Sequence, residues 1–489
     1  MKRAGTGECR RPWALPSAWA AALILAAILC GRQTVEAAEE AQAQQGAMVQ
    51  SEVTVAMTEV PVWEVSERAR DSFLRGAYAH VQTTRQGSYT YPQFKSATPL
   101  YGQVSFPGVT HDSGRSPSFW IALDHSQGTA DTYDRLYFDA NGDQDLTNDP
   151  PLKARTDVPA ALAQKYSSIR EQIWFEPVKI TFDFGPAGRR PVEMMPRLRI
   201  YEEGSQMLNF VATTVRAGTF EIAGTTYQAY LGYQHAISGR LDQPRTTLIL
   251  GPDGHEPYRW WGGDELKAIH SFGGRLYRFS CTPTGDQVQI RPYEGKLGVF
   301  ELGAGGRDVK KFEMSGSVNS QETAVAVGDT AGEPWPRATR RCEIPVGDYY
   351  PAIMSISFDS IRLSISNNYH TNAQGQARGN RETVAGIAIR EDKPYTLDFS
   401  NKPVVVFEQP KADGRVRLGE EMEVAAVLVD PVLDIMIRGL DDTAAMQTES
   451  YKDNDGTERT FQRPKSLDPN VVIRRADGEI VAEGVMPFG

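Results

Sequence analysis

Cysteine is scarce in this chain, four residues in 489 with no CxxC pair, so no zinc knuckle or dithiol redox centre is encoded. Common catalytic signatures are missing as well. There is no G-x-S-x-G and no H-E-x-x-H. Gly303-Ala304-Gly305-Gly306 lacks the Lys-Ser/Thr and the strand-to-helix setting of a phosphate loop and reads as a turn. The apolar run at 18–30 (AWAAALILAAILC) is too short to span a bilayer. Positive charge is in deficit, with 52 Lys and Arg against 62 Asp and Glu, a net −10. Such a balance repels nucleic acid and anionic membranes and excludes both as partners.

What is present at the start is an export signal over residues 1–37. Lys2, Arg3, Arg10 and Arg11 precede the apolar core, and Val35-Glu36-Ala37 offers a small-residue cleavage site. A lipid anchor at Cys30 is the lesser alternative, because Leu29 is a poor fit to the small residue that modification requires. Cleavage removes five basic and two acidic residues, which takes the net charge from −10 to −13. The protein is expected in the periplasm, on the cell surface or outside the cell. Cys281 and Cys342 then remain, and two readings stand for them. In an oxidising compartment they form a disulfide, worth about 4 kcal/mol for a loop of about 60 residues; otherwise they are two buried thiols.

The composition predicts a mainly β protein: short Val, Ile, Tyr, Phe and Thr runs separated by Gly, Pro, Asp and Asn turns. Residues 38–60 read as a flexible tether, 61–297 as a β-rich region of one or two modules, 298–401 as a β module, and 402–489 as a β-sandwich of immunoglobulin-like or prealbumin-like outline. Helices are expected within 63–78 and 160–170, the second with Pro159 near its start. The polar run 448–459 reads as an exposed loop.

Chemistry concentrates in one stretch, 137–151 (YFDANGDQDLTNDPP). Side-chain oxygens fall at alternate positions, Asp139, Asn141, Asp143 and Asp145, followed by Thr147 and Asp149. A hard cation such as Ca²⁺ takes six to eight oxygens at about 2.3–2.6 Å, and alternate residues of a curled loop supply them. The spacing resembles the start of EF-hand-like calcium loops, the dockerin kind included, with Asp139, Asn141 and Asp143 at the first three ligand positions. The match covers about eleven residues. It departs at Gln144, where the family has its turn glycine, and at Pro150, where a bidentate acid belongs; Asp145 or Asp149 is the available substitute. The resemblance implies bound Ca²⁺ in a structural role. The competing reading is a solvated turn built on Asn141-Gly142. As a whole, the chain resembles secreted multidomain β-rich proteins of bacteria, a class that implies no activity.

Other constellations are weaker. A faint echo of the acidic stretch occurs where residues 227–233 lead into 238–244 (SGRLDQP), with Tyr233, His235 and Ile237 where acids would fall. Asp264, Glu265 and His270 sit at spacings that a helix would spread over different faces, so a solvated helix is expected there. Asp124-His125 has no nucleophile beside it. Trp260-Trp261, followed by two glycines, offers a platform for a sugar ring, or anchors a core edge. Two functions are therefore carried forward. The first is a non-enzymatic exported protein with a structural calcium loop, contacting an envelope protein or a glycan. The second is a carbohydrate-active or other hydrolase with an acid site near Trp260 and Trp261.

Overall fold

In the computed structural model, the described residues are 52–488, except 86, 88, 110–117, 128–131, 164–167, 256–263, 330–336, 367–385, 410–416, 418–420, 422, 431, 434 and 453–457. The leader, Cys30 and the Trp260-Trp261 pair lie outside them.

The β-rich composition is realised as several sheets with two short α-helices among the described residues, Glu67–Phe73 and Ala160–Ala163. Both helices fall inside the stretches expected from sequence, each shorter than its stretch. Ala69 and Phe73 are buried on the first and Leu162 on the second, in a cluster with Trp174, Met195, Val211 and Ile249. A few turns of helix thus cover sheet residues that would otherwise meet water.

The largest sheet has thirteen strands. Its path starts at Val53–Ala56, which pairs antiparallel with Gln287–Pro292, and continues through Arg275–Cys281, Ala268–Phe272, Ala324–Val327, Phe312–Asn319 and Gly347–Phe358. It ends through Ile361–Ser366, Ile435–Lys452 and Ala425–Asp430 at the edge strand Val404–Gln409. Two expectations change here. Residues 53–56 and 58–61 are strands within the folded part, so the tether does not extend to 60. The sheet also runs unbroken across positions 298 and 402, because backbone pairing ignores sequence distance once strands stand side by side. A core of Met314, Val318, Met354, Ile356 and Ile437 from this sheet packs with Phe300, Ile344 and Leu397 of a three-stranded sheet.

Within the stretch expected as a loop, residues 448–452 and 458–459 belong instead to an antiparallel arm. Residues 446–452 of Ile435–Lys452 pair with the strand Glu458–Ser466, in register from Met446↔Pro464 to Lys452↔Glu458. A polar run suits a two-stranded ribbon with both faces in water as well as it suits a loop, because the ribbon's backbone groups pair with each other. The hairpin Asn470–Arg474 with Ile480–Val485 follows, and all six residues of its second strand are exposed.

The acidic stretch belongs to a nine-stranded sheet that includes Leu100–Ser105, Ser118–Asp124 and Arg135–Phe138. Four phenylalanines lock its inner face: Phe119 and Phe138 stack at 5.3 Å, and Phe210 stands 5.4 Å from Phe138 and 5.5 Å from Phe106. Strand alternation sends Leu136 and Phe138 to that face, so the chain leaves the sheet at Asp139 from a rigid last residue.

Cys281 and Cys342 are free thiols, and the disulfide reading is corrected. Cys281 ends a strand of the large sheet and donates to the Leu241 carbonyl at 3.1 Å; Cys342 lies in Arg341–Pro345, opposite Phe300 in the three-stranded sheet. Burial pushes the first thiol up to about 12 and the second to about 11. Both are therefore protonated at neutral pH and poor nucleophiles. A thiol-specific reagent at pH 8 should label neither cysteine in native protein and both in denaturant. Rapid labelling of the native chain would contradict this burial.

Candidate functional site

The loop after Phe138 is built on its own oxygens. Asp139 is 1% exposed; its Oδ1 accepts the Asp143 N–H and its Oδ2 the Gln144 N–H, both at 3.1 Å. Three turns of one kind then follow in sequence. Asn141 Oδ1 accepts from Asp143 N–H at 2.8 Å, Asp143 Oδ1 from Asp145 N–H at 2.8 Å, and Asp145 Oδ1 from Thr147 N–H at 2.9 Å. In each, a short polar side chain bonds the backbone two residues on, which is why Asp and Asn occupy alternate positions.

The curl requires two left-handed residues, Gly142 at φ 69° and Gln144 at φ 73°. Glycine adopts that conformation freely, whereas glutamine there costs roughly 1–2 kcal/mol. Gln144 thus takes the conformation of the glycine expected in an EF-hand-like loop, and tertiary contacts hold it there. Thr90 N–H donates to the Gln144 carbonyl at 3.1 Å, and Leu146 N–H donates to the Thr90 carbonyl at 3.0 Å. Leu146, 1% exposed, is plugged among Tyr101, Ala122, Tyr91, Phe94 and Tyr137.

Asn148 is a member that sequence reasoning missed. Its Nδ2 donates to Asp143 Oδ2 at 2.7 Å, and the same oxygen accepts from Asn141 Nδ2 at 3.0 Å. The oxygen ladder reads every second residue, and Asn148 stands out of that step.

Asp149 closes the loop with a different environment. Its Oδ2 is buried and has no hydrogen-bond partner among the described residues, while a backbone hydrogen bond from Ala140 favours the ionised carboxyl. Burial, then the negative charge of Asp139, with Asp143 and Asp145 adding to it, pushes its carboxyl up to about 6. Burial likewise raises Asp139, with the Asp143 charge adding to it against the hydrogen bonds that favour ionisation. The oxygens of Asp139, Asn141, Asp143, Asp145 and Asp149 thus share one loop, but among the described residues no three or more His, Cys, Asp or Glu are grouped to hold a metal ion. Carboxylates alone do not form a ligand shell here. Any cation would also draw on Asn141, backbone carbonyls or water, as hard cations commonly do.

The remaining candidates are placed elsewhere. Asp124 is 2% exposed and accepts from the Ser96 and Lys95 N–H groups at 2.8 and 3.0 Å, while His125 Nδ1 meets the Thr132 carbonyl at 2.6 Å, so both tie loops to the sheet. The helix expected around 264–270 is corrected to strand from Ala268: Ala268–Phe272 is buried throughout. His270, 3% exposed, lies between Phe272 and Phe279, and burial holds it down at about 4, so it is neutral. Glu265 instead pairs with Lys267 at 3.4 Å.

The fold and the loop define a mainly β, multi-sheet protein carrying a self-braced acidic loop at a sheet edge. The chain matches no protein-family model, no curated protein and no solved structure. Among the described residues, no helix is long and apolar enough to cross a membrane.

Proposed function

We propose that this is an exported, non-enzymatic binding or structural protein whose acidic loop holds a structural Ca²⁺, and whose sheets contact an envelope protein or glycan. The leader-like sequence of residues 1–37 supports export. One observation carries the metal reading: Asp149 Oδ2 is buried, unpartnered and crowded by the charges of Asp139, Asp143 and Asp145. A divalent cation relieves both costs at once, the desolvated oxygen and the mutual repulsion.

The residue chemistry fits such an ion. Each carboxylate has about four lone-pair sites, so an oxygen that braces a backbone N–H retains room for a metal. Asp149, Asp139 and Asn141 would hold the ion, and its role would be to lock the loop against the Thr90 segment. It would perform no chemistry.

Calorimetric titration of calcium into EDTA-treated protein tests the proposal. Wild type should bind one ion with a Kd of about 10⁻⁴–10⁻³ M, the range of extracellular modules. Asp139→Ala with Asp143→Ala should abolish binding. Asp149→Asn should also remove calcium binding, yet raise stability in EDTA at pH 7. The sign follows from the shift: a carboxyl whose folded value is raised to about 6 disfavours the folded state once ionised. Without calcium, the stability deficit of wild type relative to the amide should therefore shrink as pH falls through 6 towards the ordinary aspartate range. Silence in wild type, or equal binding in the variants, defeats the metal reading.

A further inference from the structure

The stretch that faintly echoes the acidic loop has a different use. Residues 233–246 connect the strands Thr225–Gly232 and Thr247–Pro252 and form a wall of a cavity of about 620 Å³. That size lies within the ~300–1,000 Å³ of small-molecule sites. Ile237, fully buried, and Tyr233, whose hydroxyl donates to the Gly239 carbonyl, turn inward and hold the wall. Glu265 and Gln321 complete the lining from other loops.

The charge of this cavity runs against that of the chain. Arg245 lines it and makes no hydrogen bond or ion pair with any described residue. His235 lines it too, with the Arg75 guanidinium near enough, after burial, to hold the imidazole below its ordinary value. Arg75 likewise has no carboxylate partner among the described residues. Glu265 is the one acid in the lining, and Lys267 neutralises it from 3.4 Å while donating to the Ser320 carbonyl at 2.8 Å. Positive charge is thus left uncompensated in a protein of net −10. Around it stand Gln234, Gln243 and Gln321, whose amides both donate and accept, as vicinal hydroxyls require.

We propose that this cavity binds a small hydroxylated carboxylate of the acidic-sugar class, with Arg245 on the carboxylate and the glutamine amides on the hydroxyls. Arginine suits the role because its planar fork matches a carboxylate in two parallel hydrogen bonds. The proposal gives a site to the glycan contact proposed above and rests on that part of the reading; it shares no residue with the calcium loop.

Calorimetric titration of the full chain with D-glucuronate, D-glucose and acetate tests it. Glucuronate should bind saturably at millimolar concentration, at least tenfold tighter than either of the others, and Arg245→Ala should weaken it about tenfold or more. Arg245 is exposed, so the variant should keep the wild-type unfolding midpoint and calcium response. Those measurements separate failure of this site from failure of the calcium reading. No saturable glucuronate binding, equal binding of glucose or acetate, or undiminished binding by the folded Arg245→Ala protein would overturn the proposal.

Discussion

Between pH 6.5 and pH 4 the protein should lose about 3 kcal/mol of stability to His270 alone, at about 1.4 kcal/mol per pH unit across that window. The imidazole is 3% exposed on a strand buried along its whole length, and the rings of Phe272 and Phe279 lie 6.2 and 5.2 Å away. Charging it there means moving a cation out of water into an apolar layer. Its folded value is about 4, against an ordinary 6.5, so over this interval the unfolded chain binds the extra proton. Stability must fall as pH falls through the window, and the loss levels off below it. His270→Leu keeps comparable bulk and cannot titrate. Urea unfolding of both proteins at pH 7, 5 and 4 should show the gap between wild type and variant shifting by that amount towards the variant in acid. Comparison at each pH separates His270 from Asp149, whose raised carboxyl pulls the other way. Parallel curves would mean that the histidine finds charge compensation and that its burial is not the controlling term.

The second large effect is expected at Leu146. Truncation to alanine should destabilise the protein by about 3 kcal/mol, within the 2–5 kcal/mol range of buried Leu→Ala changes. Its side chain fills the space between Tyr101, Ala122 and the flanking Tyr91, Phe94 and Tyr137, and aromatic rings collapse poorly into a void. The change should also be felt in the acidic loop. Leu146 N–H and the Gln144 carbonyl are joined to Thr90 from both sides, so the plug holds Gln144 in its left-handed conformation. Once the plug is loosened, that strain favours opening, and calcium affinity should fall together with stability. Leu146→Met is the control, because it preserves volume and should cost under about 1.5 kcal/mol. If Leu146→Ala unfolds like wild type, the loop is braced by its turns and not by the aromatic cage.

Much of the loop was legible in the sequence because its code is local. Aspartate and asparagine at alternate positions bond the backbone two residues on, and this needs no knowledge of the rest of the chain. The Asn148 contact and the Thr90 brace were not legible, since one falls out of step and the other lies more than fifty residues away. Trp260 and Trp261 lie outside the described residues. Spacing alone suggests a helical period from Asp264 to His270; burial, which spacing does not report, makes Ala268–Phe272 a strand, with Glu265 in the turn before it.

By itself, the sequence determined a mainly β chain, an apolar leader-like start and an acidic loop of alternating oxygens, all properties of neighbouring residues. Only the tertiary structure decided that one sheet runs through the expected boundaries at 298 and 402, that Cys281 and Cys342 stay apart, and that Arg245 lines a cavity without a carboxylate partner among the described residues. Strand pairing, thiol separation and charge compensation are set by which distant segments become neighbours, and that follows from packing the whole core.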